Sequence, residues 1–399
     1  MVNRRKVCFA TATRAEYGLL RPLMQWVGAS DMLERQVVAT GAHLSPEFGL
    51  TWRHIVADGI AIDERFEIVL SSDTEVGVCK SMGLALAGFA DAFDRLKPDL
   101  LVVLGDRYEM LAAASAATVL NIPVAHLHGG EVTEGAIDEA FRHSITKMSH
   151  LHFTSTAAYR QRVIQLGERP DTVFDVGAIG LDSVHGVPLL DRAALSASVG
   201  ADLSGPFYLV TYHPETVTAG EHTAQIDTLL DTLLRVDGPR VLITGANADA
   251  GGRAINQRIE HWRDRFPDRI TFVASLGQQR YLSAMKLCRA VVGNSSSGII
   301  EAPGFRVPTL DIGRRQHGRI RAESVVNVPL DPRAMLDALA RMASPAFTAR
   351  LAAMHNPYGD GGTAERIGRE IVRQFEHGIT FQKSFHDISP SQDTHPDTP

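Results

Sequence analysis

The sequence is poor in cysteine and has no excess of positive charge. Only three of its 399 residues are cysteine, and Cys8, Cys79 and Cys288 lie far apart, which argues against a disulfide framework or a cysteine metal site. Lys and Arg number 40 against 46 Asp and Glu, and the net charge is −6, so the chain lacks the basic surplus of nucleic-acid and membrane binders. We expect a cytoplasmic protein with no nucleic-acid or membrane partner. Any phosphate group that it binds must be bound by a local site.

The sequence contains no long hydrophobic run, and we expect no signal peptide. The N-terminal apolar run stops at Arg14, and the most apolar long segment, 111–125, is too short to span a bilayer and contains Asn121 and Pro123. This segment is more typical of a buried helix followed by a strand. No GxGxxG pattern follows the first apolar run, which disfavours a nicotinamide enzyme, and we expect neither a cofactor nor a metal.

Short runs rich in Val, Ile and Leu alternate with amphipathic stretches along the chain. This alternation predicts an α/β fold of two doubly wound halves that face one cleft. The pattern lapses between Val187 and Pro206, which predicts domains at 1–190 and 191–362. We expect a C-terminal helical segment, 363–381, that packs back on the first domain, and a disordered tail, 382–399. The predicted strands are 7–12, 36–41, 66–70, 100–105, 123–128, 151–154 and 172–177, then 207–213, 240–247, 270–275, 290–295 and 307–313.

A serine-rich turn in the second half is a candidate phosphate site. Ser295, Ser296 and Gly298 follow a predicted strand and open a helix, where free backbone N–H groups favour an anion such as a diphosphate. Glu301, in the first helical turn, could accept hydrogen bonds from ribose hydroxyls. The alternative is an ordinary helix cap with an acidic first turn. Four basic residues, Arg14, Arg107, His213 and Arg315, lie near other strand ends. Each one alone is typical of a surface charge, but together they suggest a clamp for a polyphosphate.

Acidic residues in the first half are candidates for proton transfer. Asp106 stands at the tip of a predicted strand, where α/β folds present reactive carboxylates; alternatively it caps the next helix. In a helical stretch, Arg142 lies one turn from Asp138 and Glu139. This group is either a surface salt-bridge cluster or, if it faces the cleft, a carboxylate kept ionised by an arginine. His43, after the second strand, is a candidate for binding sugar hydroxyls.

The segment HLHGGE (126–131) could hold a metal ion. His126 and His128 lie on one face of a predicted strand, and Glu131 follows a Gly-Gly turn, so the three side chains could bind zinc. A metallohydrolase is therefore a remote alternative, since no further ligand has a recognisable spacing.

Ten motifs, in order, resemble the hydrolysing UDP-N-acetylglucosamine 2-epimerases, in particular the bacterial branch of the sialic and legionaminic acid pathways. The resemblance covers the chain from about Arg4 to Ile388. It implies a glycosyltransferase-B architecture with two Rossmann-like domains around a cleft, a UDP-sugar substrate and a homo-oligomer, either a dimer or a tetramer. The motifs are TRAEYGLLRPL (13–23), TGAHLSPEFG (40–49), LGDRYE (104–109), HLHGGE (126–131), DEAFRHSITKMSHLHF (138–153), YHPET (212–216), GANADAG (245–251), GNSSSGIIEAP (293–303), IGRRQHGR (312–319) and NPYGDG (356–361).

By this resemblance the nucleotide lies mainly on the second half. Ser295 and Ser296 match serines at the phosphate-binding helix, and Glu301 matches the ribose-binding acid. Other positions match residues that line the nucleotide or its phosphates, and they are Arg14, Ala15, Arg107, His213, Asn247, Ser275 and Arg315.

The implied reaction removes the C2 proton and expels UDP from C1, which gives a 2-acetamidoglucal; water then adds to yield the free 2-epimer. Because no carbonyl acidifies the C2 hydrogen, C1–O cleavage should run ahead. Cations around the diphosphate would assist the departure of UDP, and a base and an acid would handle the protons.

The resemblance also assigns the candidate catalytic residues. Asp106 and Glu139 match family acids, and Arg142 matches a residue that holds the sugar. The chain has His128 where many relatives carry a glutamate, and a histidine can still exchange a proton near neutral pH. Leu19 replaces a catalytic-site lysine of the non-sialic branch. The predicted catalytic residues are thus Asp106, His128, Glu131, Glu139, Arg142 and His213, with His43 and Asp138 at the sugar.

The substrate stays open at this stage. The first expectation is UDP-N-acetylglucosamine, converted to N-acetylmannosamine and UDP for sialic-type acid biosynthesis. The alternative is the same reaction on UDP- or GDP-N,N'-diacetylbacillosamine for legionaminic acid. A glycosyltransferase of the same architecture would need an acceptor groove, and a binding module without turnover would not need Asp106 and Glu139.

Overall fold

A computed structural model describes residues 4–72, 74–133, 137–213, 222–246 and 252–388 of the chain. These residues form two parallel sheets, each with helices on both faces. The predicted α/β fold of two doubly wound halves is confirmed. The first half is the part built on the first sheet, and the second half is the part built on the second.

The first half contains a seven-stranded sheet with the order β3-β2-β1-β4-β5-β6-β7. Its strand pairs are parallel, as the crossover pattern of the sequence predicts. The strands are β1 (Arg5–Thr11), β2 (Leu33–Ala39), β3 (Glu64–Arg65), β4 (Leu100–Leu104), β5 (Val124–Leu127), β6 (Leu151–Thr154) and β7 (Val173–Asp175).

The second half contains a six-stranded parallel sheet with the order β10-β9-β8-β11-β12-β13. Leu195 of the helix that precedes β8 lies in the core of this half. The strands are β8 (Phe207–Thr211), β9 (Arg240–Thr244), β10 (Ile270–Val273), β11 (Ala290–Gly293), β12 (Thr309–Ile312) and β13 (Val325–Val328).

The helices cover both faces of the sheets. They are α1 (Arg14–Ala29), α2 (Trp52–Ala57), α3 (Glu75–Leu96), α4 (Tyr108–Val119), α5 (Asp138–Met148), α6 (Ala157–Gln165), α7 (Gly180–Gly186), α8 (Arg192–Val199), α9 (His222–Leu234), α10 (Gly252–Arg265), α11 (Gly277–Leu287), α12 (Ser297–Ile300), α13 (Pro332–Met342), α14 (Pro345–Ala353) and α15 (Thr363–His377). Short 3₁₀ turns lie at Gly41–His43, Pro46–Phe48, Pro170–Thr172 and Ala302–Phe305.

Two strand predictions differ from the structure. The run 66–70 is not a strand, and the edge strand of the sheet is the two-residue β3. Just beyond β3, the hydroxyl of Thr40 donates a hydrogen bond to the carbonyl of Phe66 at 2.6 Å. Ile68 is buried against α3 and α4 instead of joining the ladder. Strand β13 was not predicted, because its run of four residues is short and Pro329 follows it at once.

The strand order reverses once in each sheet, between β1 and β4 and between β8 and β11. Ligands of open α/β sheets bind at the carboxyl ends of the strands beside such a reversal. Asp106 follows β4, and His213 and Ser295 follow β8 and β11. The fold therefore places Asp106, His213 and Ser295 at strand ends where ligands of this fold class bind.

The last helix, α15, packs on the first half although it follows the second half in sequence. Ile367 and Ile371 belong to the same core cluster as Leu20 and Leu23 of α1. The carboxylate of Asp182 accepts hydrogen bonds from the N–H groups of residues 363 and 364 at 2.8 and 2.6 Å and so caps α15.

Residues 379–388, which we call the C-terminal strap, continue along the first half without helix or strand. Lys383 donates to the Glu168 carboxylate at 2.7 Å, and the ring of Phe381 packs on that of His150. The prediction of a disordered tail covered 382–399; residues 382–388 make these ordered contacts, and 389–399 lie outside the described residues.

In the part of the chain that the structure describes, α3 is the one helix long and apolar enough to cross a membrane by length and composition. Ala85, Phe89 and Ala92 of α3 lie in a core cluster with Ala113 and Ala117 of α4. A single helix that passes this test is weak evidence of a membrane span.

Candidate active site

Asp106 lies directly beyond the carboxyl end of β4. Gly105 before it has a φ of 78°, a left-handed conformation that glycine adopts without strain. The N-cap residue of α4 is Arg107, and its side chain makes no capping hydrogen bond. Asp106 Oδ2 instead accepts a hydrogen bond from Nη2 of Arg142. Asp106 is therefore an ion-pair partner and not the helix cap.

Arg142 is the centre of the first-half site. Its side chain is 2 % exposed, and it extends from α5 to meet four acceptors on three segments. Nη1 donates to Glu139 Oε2 at 2.6 Å and to the Glu131 carbonyl at 2.9 Å, and Nη2 donates to Thr133 Oγ1 at 2.7 Å and to Asp106. The alternative of a surface salt-bridge cluster is wrong, because this arginine is buried. We call Asp106, Glu139 and Arg142 the acid cluster.

Glu139 is held ionised. Burial by itself would raise the pKa of Glu139, but the hydrogen bond from His143, the charge of Arg142 and the N–H of Thr133 outweigh it and lower the pKa. Oε2 is shared by the Thr133 N–H at 2.7 Å and Arg142, whereas Oε1 lies 3.4 Å from His143 Nε2. Oε1 is thus the less strongly engaged oxygen. Asp138, the other predicted acid, is the half-buried first residue of α5.

His128 has both ring nitrogens engaged within the protein. The N–H of Ile179 donates to Nε2 at 3.3 Å, so Nδ1 carries the proton and donates to Glu131 Oε1 at 2.8 Å. Neither ring nitrogen of His128 is open to a substrate in this arrangement, which disfavours the expected proton exchange between them. The residue instead links β5 to the segment that precedes α7.

Glu131 is a buried, fully partnered carboxylate. Burial opposes its ionisation, but the charges of Arg319 and Arg142 and the hydrogen bond from His128 lower its pKa well below the usual range. Oε1 also accepts from the Ser155 hydroxyl at 2.7 Å, and Oε2 pairs with Arg319 Nη1 at 2.9 Å. These contacts support a positioning role for Glu131 in place of the predicted catalytic one.

Arg319 and Thr133 are site residues that the sequence did not reveal. Arg319, from the second half, donates Nε to the Val132 carbonyl at 2.8 Å and approaches Thr133 Oγ1 at 3.4 Å. Arg319 falls in the motif IGRRQHGR, but only Arg315 was singled out there. The usable signal was the arginine-rich motif itself, since local sequence does not say which arginine crosses between the halves.

His43 and His126 are buried histidines that do not face a ligand. His43 lies between the Thr11 and Thr51 hydroxyls at 3.0 and 2.8 Å. His126 lies between the Gly105 carbonyl at 2.7 Å and the Thr146 hydroxyl at 3.1 Å. Burial lowers the pKa of each to about 3, so both are neutral.

This arrangement disfavours the expected direct contact of His43 with sugar and the zinc alternative for His126. The nitrogens of both rings are occupied by side-chain hydroxyls or a carbonyl. Among the described residues, no group of three or more His, Cys, Asp and Glu side chains could hold a metal ion.

Two further buried acids, Glu16 and Glu109, lie near the carboxyl ends of β1 and β4. Burial raises the pKa of Glu16 to about 7, although the Ala12 N–H donates to its Oε2 at 2.7 Å. Arg107, which was expected near the phosphates, donates to Glu109 at 3.1 and 3.3 Å. Glu16 lies in the first quoted motif, yet nothing in its spacing distinguishes it from a helix-capping glutamate.

The serine turn of the second half is closely hydrogen-bonded. Ser297 Oγ lies 2.6 Å from the Tyr281 hydroxyl and 3.1 Å from Ser295 Oγ. Helix α12, which starts here, has only four residues. The groups available to an anion at this turn are therefore hydroxyls and local N–H groups rather than a long helix dipole.

Asn294 joins this turn to the end of β8. Its Oδ1 accepts from the His213 N–H at 2.8 Å, and its Nδ2 donates to the His213 carbonyl at 2.9 Å. The backbone of His213, one of the predicted phosphate residues, is thus fixed next to Ser295. Gly298 packs so closely that a Cβ there would lie 2.7 Å from Thr309 Cγ2.

Glu301 and Arg14 lie where the two halves approach each other. Burial raises the pKa of Glu301 to about 7, and its Oε1 lies so close to Gly180 of the first half that a Cβ there would be 2.2 Å away. Burial and the charge of Arg280, from the second half, lower the pKa of Arg14. Two cations at close range would be stabilised by an anion between them.

The remaining predicted nucleotide residues are not brought into one cluster by hydrogen bonds. Ser275 Oγ accepts from the Gly277 N–H at 3.3 Å, Arg315 is half-buried and Ala15 is exposed. Asn247 lies outside the described residues.

Comparison with known proteins gives matches over most of the chain. Residues 27–372 match the UDP-N-acetylglucosamine 2-epimerase family. A GDP/UDP-N,N'-diacetylbacillosamine 2-epimerase (hydrolyzing) from Campylobacter jejuni is 43 % identical over 326 residues, 82 % of this chain and 85 % of that protein. A UDP-N,N'-diacetylbacillosamine 2-epimerase (hydrolyzing) from Legionella pneumophila is 35 % identical over 362 residues, 91 % of this chain and 94 % of that protein.

Solved structures show the same fold. The UDP-GlcNAc 2-epimerase from Neisseria meningitidis, solved bound to UDP-GlcNAc, aligns with a TM-score of 0.78 at 18 % identity and covers 92 % of this chain and 100 % of that one. At this identity the likeness concerns the fold, which is the glycosyltransferase-B arrangement expected from the sequence motifs.

Proposed function

Because the chain belongs to the UDP-N-acetylglucosamine 2-epimerase family and is a hydrolysing sugar-nucleotide 2-epimerase, we propose that UDP-N,N'-diacetylbacillosamine is its substrate. Two relatives with 43 % and 35 % identity, each matched over most of its length, are named for this sugar, and this supports the choice. The product would be the free 2-epimer plus UDP, for legionaminic-type acid biosynthesis. UDP-N-acetylglucosamine is the competing substrate, and GDP is the competing nucleotide.

The observation that carries the proposed mechanism is the acid cluster. Buried Arg142 holds the carboxylates of Asp106 and Glu139 on either side of one guanidinium. Glu139, whose pKa is lowered in part by this pairing, stays ionised and can accept a proton from carbon once the leaving group has begun to depart. We assign the C2 proton to Glu139, through its less engaged Oε1, and proton exchange during hydration to Asp106, which is 23 % exposed.

The second half would bind the nucleotide. Hydroxyls of Ser295 and Ser297, together with the cations Arg14 and Arg315, would stabilise the charge that builds up on the departing diphosphate. Because this assistance comes from protein groups, the proposed reaction needs no cofactor and no metal.

Proton NMR in D₂O, without added metal or nicotinamide, tests the proposed function. Separate samples contain UDP-N,N'-diacetylbacillosamine, its GDP counterpart and UDP-N-acetylglucosamine. We expect free 2-epimer with deuterium at C2, released together with UDP, and fastest from the diacetamido sugar. Faster turnover of UDP-N-acetylglucosamine would overturn the substrate assignment, and product without deuterium would overturn the elimination mechanism.

We also propose that the enzyme works in the cytoplasm as a dimer or tetramer. Its three cysteines are unpaired, and exposed Cys79 in particular is suited to a reducing compartment. Light scattering of the purified protein measures the oligomer, and a monomeric mass at micromolar concentration would contradict the proposal.

A further inference from the structure

Arg319 connects the two halves through one short segment of the first. It follows β12 in sequence, and its guanidinium, 7 % exposed, reaches the residues after β5. There it pairs with Glu131 at 2.9 Å, donates to the Val132 carbonyl at 2.8 Å and approaches Thr133 Oγ1 at 3.4 Å. Three consecutive residues, 131–133, are therefore fixed by one side chain of the other half.

Residues 131 and 133 of this segment orient the acid cluster. The Thr133 N–H donates to Glu139 Oε2 at 2.7 Å, and Thr133 Oγ1 accepts from Arg142 at 2.7 Å. The carbonyl of Glu131 accepts from Arg142 at 2.9 Å. A displacement of 131–133 would thus change the hydrogen bonds of both Glu139 and Arg142.

On its other side, Arg319 is tied to the serine turn. Gln316, three residues earlier, donates Nε2 to the Asn294 carbonyl at 2.9 Å, and Asn294 precedes Ser295. The next residue, Ile320, donates its N–H to the Tyr159 hydroxyl at 3.0 Å, and its carbonyl accepts from the Tyr358 hydroxyl at 2.9 Å. The segment 316–320 is therefore held between the proposed phosphate site and the acid cluster.

We propose that Arg319 is a positioning residue that couples the nucleotide-binding turn to the acid cluster by fixing residues 131–133. Binding of the diphosphate at the serine turn orders 316–320, and Arg319 transmits this order to Thr133 and so to Glu139. The kinetic part of this inference rests on the proposed function, whereas the structural coupling does not.

The chemistry of the contact requires arginine. A guanidinium presents several N–H groups in a rigid plane and can meet the Glu131 carboxylate, the Val132 carbonyl and Thr133 together. A lysine would supply the charge that buried Glu131 needs but not the planar set of contacts. Arg319→Lys therefore separates charge compensation from positioning.

Steady-state kinetics of Arg319→Met and Arg319→Lys test the proposal. We expect kcat to fall about 100-fold in Arg319→Met with KM changed less than about three-fold, since a small displacement of a catalytic group has this effect. Arg319→Lys should fold normally and remain at least about 10-fold slow. Full recovery of kcat by lysine, or a rise in KM with unchanged kcat, would overturn the positioning role.

The pH profile separates positioning from a general loss of structure. The Thr133 N–H is one of the groups that lower the pKa of Glu139. In both Arg319 variants the acidic limb of the kcat profile should therefore move to higher pH, by at least about half a unit. An unchanged limb in both variants would contradict the coupling.

Arg192→Met is the matched control. Arg192 also makes three hydrogen bonds with its guanidinium, to the carbonyls of Leu203, Gly205 and Leu287, but all its acceptors lie in the second half. We expect it to lower stability without moving the pH profile. A shift like that of Arg319→Met would show that any lost arginine has this effect and would overturn the proposal.

Hydrogen exchange tests the coupling without turnover. UDP should increase protection of the Thr133 amide in the wild type and in Arg192→Met but not in Arg319→Met. If the wild type turns over no sugar nucleotide, the proposed function fails while this exchange result still decides the coupling. Equal protection of Thr133 by UDP in wild type and Arg319→Met would overturn it.

Discussion

At the scale of single residues, the site is defined by how each carboxylate is partnered. Glu131 has donors on both oxygens, whereas Glu139 Oε1 and the exposed edge of Asp106 are the less engaged positions. A proton-transfer group needs an oxygen that a substrate can approach. The partners of each acid therefore separate those that can react from those that hold the structure.

Asp106→Asn and Glu139→Gln should each lower the rate by at least about 100-fold, the usual effect of removing a positioned proton-transfer group. The affinity for UDP should change little, because neither acid is among the proposed nucleotide residues, most of which lie on the second half. Turnover by NMR and UDP binding by calorimetry measure the two effects. Asp94→Asn, which removes an exposed carboxylate paired with Lys97, is the control.

Near-normal turnover in both acid variants would exclude the acid cluster as the reaction centre. A parallel loss of UDP affinity would mean instead that the variants disturb the fold of the cleft.

The sequence predicted the members of the acid cluster better than their roles. Asp106, Glu139 and Arg142 could be identified because strand ends and helical spacing are local properties. The partners of His128 could not, since Ile179 lies 51 residues away and donates through its backbone. Thr133 was missed for a related reason, because its backbone N–H has no sequence signature.

At the scale of elements, the turns between strands and helices place the site. Gly293, the last residue of β11, has a φ of 135°, and a Cβ there would lie 2.0 Å from the Thr211 carbonyl oxygen. No side chain fits this contact, so the pairing of β8 with β11 and the serine turn both depend on glycine.

Gly293→Ala should therefore reduce the free energy of unfolding and weaken UDP binding. Gly83→Ala in α3 is the matched control, because its Cβ would meet nothing within 4 Å. That change should stabilise the helix by roughly 0.5 to 1 kcal/mol. Urea unfolding and UDP titration of both variants give the comparison, and full UDP affinity in Gly293→Ala would contradict the argument.

The C-terminal strap supports the helix that carries the acid cluster. Lys383 donates to the Lys147 carbonyl at 2.9 Å and to the Ser149 carbonyl, both at the end of α5, and to buried Glu168. We expect Lys383→Met to lower the free energy of unfolding by about 2 kcal/mol, because hydrogen bonds to a charged group contribute about that much.

Urea unfolding measures this loss. Lys97→Met removes a lysine whose ion pair is exposed, and it should produce no measurable change. Equal stability of the two variants would show that the strap is not bound in solution.

Strand periodicity predicted most elements because buried parallel strands are continuous apolar runs. The failures were at sheet edges, where β3 is reduced to two residues and β13 to four. An edge strand has one neighbour, so its length is decided by tertiary contacts such as the Thr40 hydroxyl on Phe66. The ordered contacts of the strap were hidden by its polar composition.

At the scale of the whole molecule, buried titratable groups have opposite effects on acid stability. Burial lowers the pKa of His43 and His126 to about 3 and that of His150 to about 4. Burial raises the pKa of Glu16 and Glu301 to about 7. Between about pH 6.5 and 4.5, folding releases protons from these three histidines and takes them up at these two carboxyls, so the carboxyls offset part of the stability that the histidines lose.

Below about pH 4.5 the offset ends. Glu16 and Glu301 are then protonated in both states, whereas the unfolded chain alone binds protons at the three histidines. The unfolded chain also protonates first at Glu168: burial opposes its ionisation, but hydrogen bonds from His152, Lys147 and Lys383 lower its folded pKa to about 2. We expect the free energy of unfolding to fall gently from about pH 6.5 to 4.5 and steeply below.

Urea midpoints measured from about pH 7.5 down to 3.5 check this profile. Glu16→Gln removes one carboxyl that takes up a proton on folding, so its loss of stability between about pH 6.5 and 4.5 should be steeper than that of the wild type. A Glu16→Gln profile parallel to that of the wild type would show that Glu16 does not titrate in this range.

The two-half architecture could be predicted from sequence rhythm, but the contacts between halves could not. Arg319 with Glu131 and the hydroxyl of Tyr159 with the backbone of Ile320 join residues that are more than 150 positions apart. No periodicity encodes such pairs, since their spacing depends on how both sheets are completed.

The return of α15 to the first half has a consequence for how the chain is made. A ribosome synthesises α1 early and α15 only after the second half, yet a Cβ at Gly368 of α15 would lie 2.1 Å from the Trp26 ring of α1. The surface around Trp26 therefore stays exposed on the nascent chain, without α15 to cover it, until some 340 further residues have been added. The second half is continuous in sequence and can fold on emerging, so the part synthesised first is the part completed last.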